Sequence, residues 1–333
     1  MRMLPAALAV LCALSAAPGF SSAAFDADRF ESGDGGLLLA PDSGFIDPYF
    51  ANKALVVASD AGLDVRRAAA QWITWMLPRQ RKDGSFDRYC FREGKWQDCK
   101  PADADDAMLA LWLQLLYHMA PPAGLPPEWQ ASAQRALRGL RGLRNRRLGI
   151  YYVSRRDHSA LLMDNAEVYG ALHDVAQAQA RFGDPEAART QADAEALARA
   201  IHRVFWDDRH AWFRASMAKD RPQFYPDVLG QTYPLMAEMP LPAGKARQLW
   251  ERWKQNFAGA WLSNRYDPYS WGLIALTAMK VGDSSTAVCW LQHARGQRWN
   301  DEWNVLEEAS FQAVESRLGT LAPGGECAKW GSR

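Results

Sequence analysis

Apolar and polar positions alternate along this chain in blocks. The stretch AMLALWLQLLY, after Asp106, is apolar around nearly its whole circumference, which marks a buried helix. By contrast, PEAARTQADAEALARAIHRVF carries Ala, Leu, Ile and Val on one stripe and charge elsewhere, the mark of a helix with one face in water. This periodicity predicts buried helices over 48–60, 104–119, 164–181, 226–238, 268–281 and 302–318. Half-exposed helices are predicted between them, over 63–78, 127–145, 185–205, 243–257 and 284–295. Such in–out alternation is what a double-layered ring of helical hairpins requires. The expected fold class is therefore all-α, a toroid of six hairpins, with short β-hairpins in GSFDRYCFREGKW and GIYYVSRRDHSALLM. The repeat is longer early in the chain than late, unlike a tandem solenoid.

Each buried helix begins at a junction that carries a carboxylate. The junctions read FIDPYFANKAL from Phe45, PADADDAMLALWLQLLY from Pro101, LLMDNAEVYGAL from Leu161, YPDVLGQTYPLM from Tyr225, RYDPYSWGLIAL from Arg265 and NDEWNVLEEASF from Asn300. A single junction acid is explained by helix capping, since Asp suits the N-cap and Pro the first turn. The set asks for more, because aromatic and amide residues accompany the acids. Tyr49 and Asn52 follow Asp47; Asn165, Glu167 and Tyr169 follow Asp164; Tyr225, Gln231 and Tyr233 flank Asp227; Tyr266, Tyr269 and Trp271 surround Asp267. Asp164 and Glu167 share a helix face, as do Asp227 and Gln231. Asp103, Asp105 and Asp106 crowd one helix start, where mutual repulsion keeps a proton on one of them near neutral pH. If the buried helices run parallel in a ring, these acids collect at one pole, and clustered carboxylates supply both an acid and a base.

Composition narrows the function. The formal net charge of +1 argues against nucleic acid as a partner. The Arg-rich run from Arg135 to Arg147 reads as the solvated end of an outer helix. Residues 1–24 read as a cleaved signal peptide, with a short positive start, an apolar stretch and Ser22-Ala23-Ala24. An uncleaved anchor is the alternative. Residues 25–333 are then one domain in the periplasm or outside the cell, with no membrane insertion and no partner subunit expected. Four cysteines remain after cleavage, and Cys90–Cys99 and Cys289–Cys327 are the expected disulfides, free buried thiols the alternative. No cysteine–histidine spacing resembles a zinc site, no EF-hand-like loop is present, and no metal or cofactor is implied. A GxSxG turn and a phosphate loop are likewise missing. The fifteen Trp residues serve helical cores and sugar stacking equally.

The segment ADADDAM, Ala102 to Met108, resembles the Asp-[Ala/Gly]-Asp helix start of glycoside hydrolase family 8. LLMDNAEVY is similar to the inner-helix start that carries the catalytic Asp in unsaturated glucuronyl hydrolases. The whole chain after residue 24 resembles the six-hairpin glycosidase superfamily, which implies an (α/α)6 toroid. The patterns DPYFAN, MDN-EVY and YPD-x-x-x-Q resemble a group of exported bacterial proteins. Family 8 enzymes open the first inner helix with a Ser-Glu-Gly-type stretch bearing their acid; here Ile46-Asp47-Pro48-Tyr49 stands instead. The family 8 likeness implies that Asp103 or Asp105 holds the sugar at the cleavage point. The other implies that Asp164 is the working acid.

The leading expectation is a glycoside hydrolase on a polysaccharide or oligosaccharide, inverting in outcome. Its catalytic candidates are Asp47 and Asp164, then Asp106, Glu167 and Asp227. Its substrate-binding candidates are Tyr49, Asn52, Asp103, Asp105, Asn165, Tyr169, Tyr225, Gln231, Asp267, Tyr269 and Trp271. A second expectation is a polysaccharide lyase, for which Tyr151, Tyr152, Arg155, Arg156 and His158 sit together before the third buried helix. A third is a non-catalytic glycan-binding or assembly factor.

Overall fold

In a computed structural model the chain is described over residues 23–217 and 223–321 and at Cys327. The predicted signal peptide lies almost entirely outside these residues. Eleven α-helices are present among the described residues: α1 (Pro48–Asp60), α2 (Arg66–Met76), α3 (Asp105–His118), α4 (Pro127–Gly142), α5 (Leu162–Arg181), α6 (Ala187–Phe205), α7 (Tyr233–Met236), α8 (Lys245–Leu262), α9 (Gly272–Lys280), α10 (Ser284–Gln297) and α11 (Val305–Leu318). The odd-numbered helices pack side by side, α1 on α3, α3 on α5, α5 on α7, α7 on α9 and α9 on α11. Contact of α11 with α1 closes the ring. The even-numbered helices form the outer layer. The lead-in segment completes it, running between α11 and the start of α2: Asp26 exchanges hydrogen bonds with Gln312, and the Phe25 amide donates to Asp64 O.

The inner helices run parallel. Their C-terminal ends meet at one pole, where His118 lies 3.8 Å from Asp60 and 3.7 Å from Asp174 and Arg317 donates to Asp60 O. Their N-terminal ends therefore share the other pole.

The predicted toroid stands, with local differences. The fourth inner element is not one helix over 226–238 but a wide turn (Phe224–Val228), a 3-10 turn (Leu229–Thr232) and the single α turn of α7. Pro234 has no N–H to give and crowds the carbonyl one turn back, so a regular helix cannot pass through it. The hairpin in GSFDRYCFREGKW is present as β2 (Asp87–Arg92) and β3 (Lys95–Pro101), extended by β1 (Phe45–Ile46) into an antiparallel sheet of order β1-β2-β3. The hairpin expected in GIYYVSRRDHSALLM is absent. Asn165 captures that segment instead, accepting from Tyr151 N at 2.7 Å and donating to Tyr151 O at 3.1 Å. The segment then forms isolated bridges, Arg144 with Tyr151 and Leu161 with Ser216. A small unforeseen hairpin, β4 (Trp206–Asp207) with β5 (Trp212–Phe213), follows α6.

Both expected disulfides form, Cys90–Cys99 with Cα atoms 5.8 Å apart and Cys289–Cys327 with 5.2 Å. Two such bonds fit an oxidising compartment outside the cytoplasm. No described helix is long and apolar enough to cross a membrane.

Candidate active site at the N-terminal pole

All six junctions are linked around one pole by side-chain contacts. Asp47 caps α1, its Oδ1 accepting from Tyr49 N at 3.1 Å. Its Oδ2 faces Arg88 of β2 at 3.6 Å, and Arg88 also reaches Asp103 at 3.5 Å. Burial lifts the Asp47 carboxyl to about 6, although Arg88 and the Tyr49 amide pull it down. The Asp103 side chain is 77% exposed and stands at the mouth.

Behind the mouth, Asp106 of α3 and Asp164 of α5 are buried. Asp106 Oδ1 accepts from Ala107 N at 2.9 Å. Oδ2 of both residues is buried with no hydrogen-bond partner among the described residues. Burial raises both carboxyls; Glu167 and Asp105 add to the rise of Asp106, to about 8, and Asp106 and Glu167 add to that of Asp164. Glu167, one turn along α5 from Asp164, is held differently. Lys53 Nζ lies 2.8 Å from its Oε1, and the Tyr49 hydroxyl donates to both oxygens at 3.0 and 3.1 Å. Tyr49 also bonds the hydroxyl of Tyr233, and burial raises both phenols far above their usual range. Lys53 and Glu167 close the floor; below them a cavity of about 340 Å³ opens toward the opposite pole.

Aromatic rings form the far rim. Tyr225 stacks on Trp271, centroids 5.5 Å apart and planes 12° apart, and Tyr269 meets Trp271 edge-on at 5.8 Å. The Tyr225 phenol is pushed up to about 12 by burial and then by the charge of Asp164, Asp103 and Glu167. Trp271 sits at φ 50°, and the amides of Gly272 and Trp271 both bond the buried Glu307 of α11, with Gly272 N at 2.9 Å from Oε2. Burial lifts Glu307 to about 7.

The structure thus brings together Asp47, Tyr49, Asp103, Asp106, Asp164, Glu167, Tyr225, Tyr269 and Trp271. It turns other candidates elsewhere. Asp105 faces the Arg81, Asp83 and Asp87 side of α3, where burial lifts it to about 6. Asp227 accepts from Gln223 N at 2.9 Å, and Asp267 from Tyr269 N at 2.9 Å, each closing its own turn. Asn52 accepts from the Trp72 indole at 2.7 Å, Gln231 clasps the backbone of Phe213 at 3.0 and 2.8 Å, and Asn165 clasps Tyr151. Tyr169 stacks on His173, further down α5. Of the lyase set, Tyr151 is buried, Tyr152 bonds Asn145 and stacks on His158, and Arg155 and Arg156 are exposed. Among the described residues no group of three or more His, Cys, Asp or Glu is arranged to hold a metal ion.

Sequence reading missed Lys53, Arg88 and Glu307, and noted Tyr233 beside Asp227 without giving it a role. Lys53 had a signal, a lone cation in the apolar run PYFANKALVV, because a buried Lys needs a partner.

The sequence matches no family model and no curated protein. Its fold does have counterparts among solved structures. It superposes on a wild-type glycosidase with a TM-score of 0.61 at 13% identity, covering 89% of this chain and 95% of that one. It superposes on a GH63 mannosylglycerate hydrolase from Thermus thermophilus, in complex with glucose, with a TM-score of 0.56 at 13% identity over 87% of this chain and 98% of that one. A rhamnosidase from Klebsiella oxytoca with rhamnose bound gives 0.57 at 14% identity over 83% of this chain, which spans 58% of the rhamnosidase. The chain shares an all-α toroid fold with these solved structures.

Proposed function

We propose that this protein is an exported glycoside hydrolase acting on a polysaccharide or oligosaccharide. The observation that carries the proposal is the pair of buried carboxyls Asp106 and Asp164, whose Oδ2 atoms find no hydrogen-bond partner among the described residues and which burial shifts toward the protonated form. Structure alone gives such atoms no reason to stay unpaired, whereas a glycosidic oxygen would accept the proton they hold.

In this reading Asp164 donates the proton to the departing oxygen, and Asp106 shares and restores it. Asp47, steadied by Arg88, takes the proton from the attacking water, which is the inverting arrangement. With Asp47 at about 6, its carboxylate is available as a base at neutral pH. Asp103 binds sugar hydroxyls at the mouth. Tyr225, Tyr269 and Trp271 offer ring faces to the sugar. Glu167, locked by Lys53 and Tyr49, fixes the floor.

The test is a panel of polysaccharides scored for reducing ends and for ultraviolet absorbance, with wild type and Asp164→Asn. Reducing-end release that the variant lacks supports the proposal. An unsaturated product would replace it with lyase chemistry, and full activity in Asp164→Asn would remove that residue from catalysis.

A further inference from the structure

Beside the sheet lies a second recess that shares no lining residue with the acidic pole. It encloses about 680 Å³ and is walled by Phe91 and Trp96 on one side and Asp34, Asp42, Arg79 and Lys95 on the others. The volume suits one or two sugar rings.

Its aromatic wall is built in advance. The Asp34 carboxylate accepts from the Trp75 indole at 3.1 Å, from Ser32 Oγ at 2.7 Å and from the Trp96 indole, which pins Trp96. Trp96 meets Trp75 edge-on at 6.0 Å and Phe91 at 5.2 Å, and Trp75 is backed by Tyr89 at 5.1 Å. The Arg79 guanidinium lies 3.5 Å over the Trp75 ring. Rings held this way lose little freedom when a ligand lies on them. Yet Phe91 is 51% exposed, with one face left to water. Packing does not require that exposure; a ligand that stacks would use it.

The polar groups indicate the kind of ligand. Two carboxylates, Asp34 and Asp42, stand against two cations, Arg79 and Lys95, so the recess has no net charge to attract a phosphate or a uronate. Its chemistry is a pair of ring faces edged by hydrogen-bonding groups, which matches a neutral pyranose. Strand β2 connects it with the pole, because Arg88 reaches Asp47 and Asp103 while Phe91 lines the recess.

We propose that this recess is a second glycan-binding site. It holds a neutral pyranose unit by stacking on Phe91 and Trp96, and it anchors a long chain whose other end lies at the acidic pole. The anchoring half rests on the hydrolase reading above; the binding half does not.

The experiment is affinity electrophoresis of the full chain through gels containing mixed-linkage β-glucan, xylan, galactomannan, soluble starch or, as a charged control, polygalacturonate. Wild type, Phe91→Ala, Trp96→Ala and Asp164→Asn are compared, and melting temperatures confirm that each is folded. Phe91 is half exposed, so Phe91→Ala keeps the test alive if Trp96→Ala fails to fold. Retardation of the wild type by at least one neutral polymer, weakened about ten-fold in Phe91→Ala and unaffected in Asp164→Asn, supports the site. Equal retardation of wild type and Phe91→Ala, no retardation by any neutral polymer, or retardation by polygalacturonate alone would overturn it. On a polymer that is hydrolysed, the ratio of polymer to trisaccharide kcat/KM falls about ten-fold in Phe91→Ala; an unchanged ratio overturns the anchoring role. Full hydrolysis by Asp164→Asn would defeat the catalytic assignment and leave the binding result to stand on its own.

Discussion

Replacing Glu307 by Gln tests whether the N-terminal pole is as dry as the packing implies. Glu307 is buried at the start of α11, and its carboxyl rises from 4.5 in the unfolded chain to about 7 in the fold. Burial causes the rise, and the amides of Gly272 and Trp271 oppose it. Because the folded-state value is the higher one, the folded protein keeps this proton at pH values where the unfolded chain has released it. Stability therefore falls as pH rises from 4.5 to about 7 and changes no further above that. At about 1.4 kcal/mol per unit, the loss comes to about 3 kcal/mol. Gln does not titrate. It keeps one oxygen for the Gly272 amide and gives up about 1 kcal/mol of hydrogen bonding at every pH. The variant should be slightly less stable than wild type near pH 4.5 and more stable by about 2 kcal/mol at pH 8. All other titrating groups are common to both proteins and cancel in the difference. Urea unfolding of both proteins at half-unit steps from pH 4.5 to 8 measures this directly. Parallel stability curves, with a difference that stays flat within about 1 kcal/mol, would show that water reaches Glu307, and would refute the closed pole.

Asp164→Asn should lower hydrolysis by about 10² to 10⁴-fold while leaving the urea midpoint at pH 7 no lower than wild type, since Asn replaces a group that is already neutral; a large loss of stability would contradict a protonated Asp164. Lys53→Met breaks the buried pair with Glu167 and should cost about 3–5 kcal/mol, and adding Glu167→Gln should restore much of it; additive losses in the double variant would show that the two do not interact. Cys289→Ser with Cys327→Ser opens a loop with a sequence separation of 38 residues and should lower stability by about 4 kcal/mol, read as a drop in melting temperature; reductant should lower wild type at least as far, because it also opens Cys90–Cys99.

What the sequence made legible depended on whether a residue's role is decided within its own helix or by a neighbour. Periodicity reports which face of a helix is buried, so the ring, its alternation and the acidic helix starts could be read directly. It does not report rotation finely enough to part adjacent residues. Asp105 and Asp106 differ by about 100° around α3, and that step sends one toward Arg81 and Asp83 and the other to Asp164. Amides were illegible for another reason. Asn52, Asn165 and Gln231 are the residues a sugar site would use, and equally those that stitch distant segments; their partners Trp72, Tyr151 and Phe213 lie 20, 14 and 18 residues away. Glu307 was missed because it caps α9, not its own helix.

The same contrast weighs the catalytic reading. Carboxylates that serve the fold are satisfied here: buried Glu308 is gripped by Arg298 at 2.9 Å and by the Trp303 indole at 2.9 Å, and half-buried Asp283 by Lys254 at 2.8 Å and Trp250 at 2.9 Å. Asp106 and Asp164 are as deeply buried and each leaves an oxygen unpaired. Apolar side chains of that size would pack there at lower cost. Two buried carboxyls that each leave an oxygen unpaired are a burden on stability, and in the proposed reading proton transfer to a bound sugar is the use that offsets it.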